Sequence, residues 1–228
     1  FVAYSVTTEA NGCFKDIRTL SDKKNERDYV KELAQQIKRQ LQEYIKSDRP
    51  NRIVLHCSFR LLKSAMEEIR RVAKDVMRGD DSAPSIVILR INTSHYYQAF
   101  DQGRGTMVPD ENAILKIKPG AYLVWPDGTP QGGVVTTRPS DPLYVVIDRA
   151  DPPLSDSCTM ELLQDLCNLS GANWRGFNAK ARPVSVFYCH LVGRMIADMA
   201  ERNLPIPEIE KWIDYYFSKK DLPKKIKR

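Results

Sequence analysis

The chain has no apolar run long enough to span a membrane. Its opening, FVAYSVTTEANG, lacks both the basic start and the apolar core of a secretory signal. Three common catalytic signatures are missing: a G-x-x-x-x-G-K-S/T phosphate loop, an H-E-x-x-H zinc helix and a G-x-S-x-G elbow. Cysteine is sparse and odd in number: Cys13, Cys57, Cys158, Cys167 and Cys189, with no C-x-x-C pair among them. That pattern argues against a disulfide frame or a cysteine zinc site and predicts free thiols in a reducing compartment, the cytoplasm. There is no internal repeat of the kind that builds solenoids or propellers.

What is present is the composition of a globular protein. The 228 residues, 42% of them hydrophobic, suffice for one large domain or two small ones. The net charge of +6 invites a nucleic-acid reading. Most of it sits after Phe217, where Lys219, Lys220, Lys224, Lys225, Lys227 and Arg228 stand against Asp221. We therefore divide the chain into a folded region, 1–217, near neutral in charge, and a solvated basic tail, 218–228. Phe1 opens directly on a strand pattern, from which a preceding part of the protein is expected.

Alternating, β-rich residues predict a strand over Phe1–Thr8, a turn at Glu9–Gly12 and a returning strand from Cys13. Tyr29, Val30, Leu33, Ile37, Leu41 and Ile45 recur at helical spacing, which predicts an amphipathic helix over Arg27–Ile45. Arg52–Ser58 reads as a strand buried on both faces, Leu61–Met77 as a helix, and Ser85–Ile91 as a second buried strand. Strand, helix and strand in that order predict a parallel β-α-β unit, with the hairpin completing a mixed sheet. Between 95 and 109 the chain is polar, with Tyr96, Tyr97 and Phe100 interspersed. Short strands are predicted over Ala113–Lys118, Ala121–Trp125, Val134–Thr137 and Leu143–Ile147. Ser155 or Asp156 can cap a helix reaching about Asn168, and Pro207 can open a last helix.

The most informative stretch is NWRGFNAKARPVSVFYCHLVGRM, from Asn173 to Met195. Pro183 suits a first helical turn, and Val184, Phe187, Leu191 and Met195 follow at helical spacing. Trp174, Arg175, Phe177, Asn178, Lys180 and Arg182 lie just before that helix. A helix N-terminus with unpaired N–H groups and adjoining cations suits an anion such as phosphate. A solvated loop leading into a core helix would leave the same local pattern.

Four stretches together resemble the C-terminal part of the PIWI domain of an Argonaute. Asp28–Ser47 with Asn51–Leu55 resembles the helix and strand leading to the second catalytic aspartate. Gly132–Ile147, with Thr136-Thr137-Arg138-Pro139-Ser140, resembles the family's Thr-Ser-Arg-Pro segment and the strand after it. Thr159–Asn173 resembles the helix and loop that follow, and Pro183–Met195 the helix carrying the final catalytic residue. The resemblance implies an α/β, ribonuclease-H-like mixed sheet flanked by helices, its first strand lying before Phe1. It also implies a guide strand, RNA or DNA, held in pairing with its target. Active members bind divalent metal through Asp, Glu, Asp and a fourth Asp or His. Oxygen ligands suit Mg²⁺, and two such ions can stabilise attacking and leaving oxygens together.

This sequence departs from that pattern. The glutamate position falls near Asp28, with Glu26 close by; the second aspartate position falls on Ser58; the fourth falls on His190. A one-residue slip would put Cys57 in place of Ser58. A hydroxyl is a poor substitute for a bridging carboxylate, so the resemblance implies a degenerate nuclease site with no complete catalytic set and no resident metal. Arg138, Trp174, Arg175, Asn178, Lys180 and Arg182 are then expected to bind sugar-phosphate backbone, while base pairing reads sequence. Inactive prokaryotic Argonautes often act through a separate effector, so a protein partner is expected, in defence against invading nucleic acid. Two alternatives follow: an active Mg²⁺-dependent endonuclease completed by Asp28 or Glu26 and residues outside this chain, or a protein-interaction domain that keeps the fold without nucleic acid.

Overall fold

Ile86, Val87, Ile88 and Leu89 are all buried, so the strand they belong to is covered on both faces. The rest of the fold is layered around it. The computed structural model describes residues 3–8, 14–21, 28–44, 51–77, 84–93, 95–103, 107–127, 141–171 and 182–202. In chain order the elements are β1 (Ala3–Thr8), β2 (Phe14–Ser21), α1 (Asp28–Tyr44), β3 (Arg52–Cys57), α2 (Lys63–Val76), β4 (Ser85–Asn92), β5 (Ala113–Lys118), β6 (Ala121–Trp125), β7 (Leu143–Asp151), α3 (Asp156–Gly171) and α4 (Val184–Glu201). A five-stranded sheet runs β3-β4-β7-β6-β5. Its β3–β4 pair is parallel, joined through α2, and the other pairs are antiparallel. This is the α/β mixed sheet flanked by helices that the sequence predicts, consistent with a ribonuclease-H-like fold.

The two faces of β4 have different partners. Ile86 and Ile88 pack with Tyr29, Leu33, Ile37 and Leu41 of α1 and with Ala65, Met66 and Ile69 of α2. Val87, Leu89 and Ile91 pack on the opposite side with Leu162, Leu163 and Leu166 of α3 and with Val186 of α4. The helical spacings explain the layering: each helix turns one apolar stripe to the sheet and leaves its charges in water. Local signals fix the helix starts. Ser155 Oγ accepts the Cys158 N–H at 3.2 Å, capping α3. The Pro183 carbonyl accepts the N–H groups of Val186 and Phe187 at 2.9 and 2.8 Å, so Pro183 opens the first turn of α4.

Two expectations need correction. The hairpin β1–β2 does not extend the larger sheet; among the described residues it is a sheet of two strands. It is held through helices, α1 lying on β2 and α4 on β1. Nor is β3 buried on both faces. None of its residues is fully buried, and Val54 is 36% exposed. The physical reason is position: β3 is an edge strand of the five, and its apolar run resembles that of a central strand only in composition. The strand predicted at Val134–Thr137, the last helix from Pro207 and the basic tail lie outside the described residues. Among the described residues no helix is long and apolar enough to cross a membrane.

Leu163 is wholly buried between α3 and the sheet. Leu163→Ala should destabilise the fold by about 2–5 kcal/mol, from lost burial plus a residual cavity. Met160, on the same helix and 46% exposed, should tolerate alanine within about 0.5 kcal/mol. Urea unfolding of the two variants checks the contrast, and equal losses would contradict this packing of α3.

Candidate nucleic-acid interface

The C-terminal ends of parallel strands are where open α/β sheets gather their sites. Here β3 and β4 run parallel with Cys57 opposite Arg90, so the segment from Ser58 and the segment after Asn92 leave the sheet at one end. Strand β7 is antiparallel to β4, with Tyr144 opposite Asn92, so its beginning stands at that end too. Asp141 and Pro142, which directly follow the Thr136–Ser140 segment in sequence, lead into it.

Helix α4 joins the same end through its first turn. His56 Nδ1 lies 2.7 Å from Ser185 Oγ, linking the last turn of β3 to the first turn of the helix. Cys189, one turn beyond Ser185, acts electrostatically on Cys57. Ser58 and His190 follow Cys57 and Cys189 in sequence. Both side chains are exposed, with no hydrogen bond between them among the described residues. The start of α1 is drawn to the same place. Tyr29 Oη accepts the Leu62 N–H at 3.0 Å, and its ring meets Phe59 edge-on at 5.7 Å. Asp28, the first residue of α1, thus adjoins the loop that carries Ser58.

The electrostatics of this end are unusual. Burial lowers His56 from its ordinary value to about 4, so its imidazole is neutral at physiological pH. Partial burial, then the charges of Arg182 and Arg194, lower His190. Neither arginine is paired with a carboxylate among the described residues. Burial, with Asp148 and Cys189 adding to it, pushes the Cys57 thiol up to about 12, so it stays protonated at physiological pH. Among the described residues no group of three or more His, Cys, Asp or Glu side chains is arranged to hold a metal ion.

One charged pair here was not anticipated. Arg90 Nε and Nη2 donate to the two carboxylate oxygens of Asp148 at 2.9 and 3.0 Å. Register explains the meeting: Ile88 pairs with Arg149 but Leu89 with Ile147, so Asp148 is the extra residue of a β-bulge. A bulge re-aims a side chain, here toward the neighbouring strand. The available signal was Arg90 inside the apolar run IVILRIN and Asp148 directly after the apolar run LYVVI. Such charges in buried strands call for partners. His56 in β3 carried a similar signal.

Of the candidate backbone-binding residues, Arg182 is described and half-buried at the entry to α4; Arg138, Trp174, Arg175, Asn178 and Lys180 lie outside the described residues. Cys57, Cys158, Cys167 and Cys189 are free thiols.

Comparison with known proteins gives one informative match. The chain is similar to an archaeal Piwi protein. That relative, "Piwi protein" of Archaeoglobus fulgidus, is 28% identical over 153 residues, covering 61% of this chain. The chain spans about a third of the relative's length, 33%. No family model matches the chain. The similarity supports a PIWI-like chain and agrees with the sheet-and-helix architecture above.

The buried His56 yields a pH prediction. Its folded-state value lies below that of the unfolded chain, so as pH falls the unfolded chain takes up the proton first. Stability should therefore be full above about pH 6.5 and decline toward pH 4, by roughly 2 kcal/mol after allowing for residual solvent. His56→Gln removes this contribution while keeping a polar partner for Ser185. Urea midpoints of both proteins between neutral pH and pH 4 should converge as pH falls; a constant difference would show that His56 does not titrate in this way.

Proposed function

We propose that this chain is a nucleic-acid-binding, PIWI-like module that holds a guide strand and its paired target without cleaving the target. One observation carries the reading: His56 holds the first turn of α4 against the end of β3, and Arg182 at the entry to that helix and Arg194 on it both act electrostatically on His190. Two guanidiniums with no carboxylate partner among the described residues, beside an imidazole whose protonated form they disfavour, favour phosphate and repel a divalent cation. Ser58 offers a neutral hydroxyl, Cys57 a protonated thiol, and Asp148 is engaged by Arg90. The described residues therefore do not fit Mg²⁺, which wants several free carboxylate oxygens, and no hydrolytic step is derived through it.

In this reading Arg138, Trp174, Arg175, Asn178, Lys180 and Arg182 hold backbone. Phosphate contacts set affinity and register, while guide–target pairing supplies sequence. The module comprises 1–217, with 218–228 a solvated tail. A module that binds without cutting needs a further component to act on what it has found, so a protein effector belongs to this proposal. Its setting would be cytoplasmic defence against invading nucleic acid.

The test is cleavage. The full chain, given guide and labelled complementary target in Mg²⁺ or Mn²⁺, should yield no product above the metal-only control. Discrete product opposite the middle of the guide, lost in His190→Ala, would overturn the proposal in favour of a variant endonuclease completed by Asp28 or Glu26.

A further inference from the structure

Beyond β4, at the same end of the sheet, the chain displays aromatic rings to solvent. Tyr96 is wholly exposed, Phe100 is 56% exposed and Tyr97 is 42% exposed. Rings of this size are normally covered, and a cluster left open marks an interaction surface. These are not loose side chains. Tyr97 packs against Tyr144 with ring centroids 4.9 Å apart and planes 35° apart. His95 sits 6.1 Å from each of them.

His95 fixes the arrangement. Its Nε2 lies 2.6 Å from the Pro142 carbonyl, which can only accept, so Nε2 carries the proton. Its Nδ1 accepts the Tyr97 N–H at 3.2 Å, so that nitrogen is bare. One neutral tautomer satisfies both bonds. It ties the loop after β4 to the beginning of β7 and presses Tyr97 onto Tyr144. The result is a preorganised aromatic surface, with Tyr96 and Phe100 projecting beside it.

We propose that this surface stacks unpaired bases of a nucleic-acid strand whose phosphates are held by cations at the same end of the sheet. The inference rests on the nucleic-acid reading above and adds a base-contacting element to it. Two features favour bases over an apolar protein partner. The rings are interleaved with polar residues, Gln98, Asp101 and Gln102, and form no continuous aliphatic patch. Their loop also leaves the sheet at the same end as the exposed Arg60, just beyond Ser58, and the entry to α4 at Arg182. Rings for bases beside cations for phosphates is the composition of a single-strand binding surface. Such stacking tolerates any base, so it adds affinity without adding sequence preference.

The experiment compares two fluorescent oligonucleotides at fixed salt: a thymidine homopolymer and an abasic strand of equal length with the same phosphates. The full chain should bind the first more tightly. Tyr97→Ala should weaken that binding about five- to a hundredfold while leaving the abasic strand unaffected. Tyr97→Phe should bind as the parent does. Tyr96→Ala and Phe100→Ala remove exposed rings and keep the test valid where Tyr97→Ala fails to fold; each should lower affinity for the homopolymer alone. Equal affinity of the parent for both strands, with no effect of the ring variants, would overturn stacking and leave the phosphate reading standing. Binding of neither strand would overturn both. Capture of an apolar peptide by the ring surface, with no preference for bases, would assign it to a protein partner instead.

Discussion

The contact between His56 and Ser185 holds the functional end of this molecule together. It spans 129 residues of sequence and 2.7 Å of space. A side-chain hydrogen bond of this kind contributes about 1 kcal/mol in net terms, but leaving either group unpaired in a buried setting costs more. Its larger effect is geometric. By fixing the first turn of α4 against the last residues of β3, it sets the helix entry at Arg182 beside the strand end that carries Ser58, with His190 and Arg194 further along the same helix. The neutrality of His56 belongs to the same arrangement, since a positive charge there would add to that of Arg182 and Arg194.

The sheet beneath is organised to leave that end open. The pair Arg90–Asp148 neutralises the charge that two apolar strands would otherwise bury alone. Replacing such a pair by apolar residues often costs little, whereas removing one partner leaves an uncompensated charge. Its placement in a bulge means that Asp148 is occupied within the sheet and is not offered to a ligand. Asp148 is thereby withdrawn from the surface, while Arg60 is exposed there. The aromatic loop after β4, pinned through His95 to the start of β7, adds apolar faces to the same edge.

Much of the architecture was legible in the sequence because it rests on short-range periodicity. The stripes of α1 and α2, the buried run of β4 and the Ser155 cap are each written within a few residues. The resemblance to PIWI domains was carried by segment order, and the match to the archaeal relative agrees with it at 28% identity. What escaped was set by distant partners. The Arg90–Asp148 pair spans 58 positions and depends on a bulge that no local pattern announces. The exposure of β3 depends on its place in the sheet, and its composition alone reads as a buried strand. The hairpin β1–β2 reads as part of one sheet because strand patterns do not reveal which edge they meet. Ser58 and His190 were found as positions in a pattern; that the helix carrying His190 is held against β3 through Ser185 and His56 required the fold.

The central claim is that this edge binds phosphate. The most direct measurement is guide affinity as a function of salt for the parent chain and for Arg182→Ala, Arg175→Ala and Lys180→Ala. Each substitution should weaken binding for all guide sequences alike and reduce the slope of log affinity against log salt by roughly one. Unchanged affinity and slope in all three would contradict the account and make the entry to α4 an ordinary solvated surface.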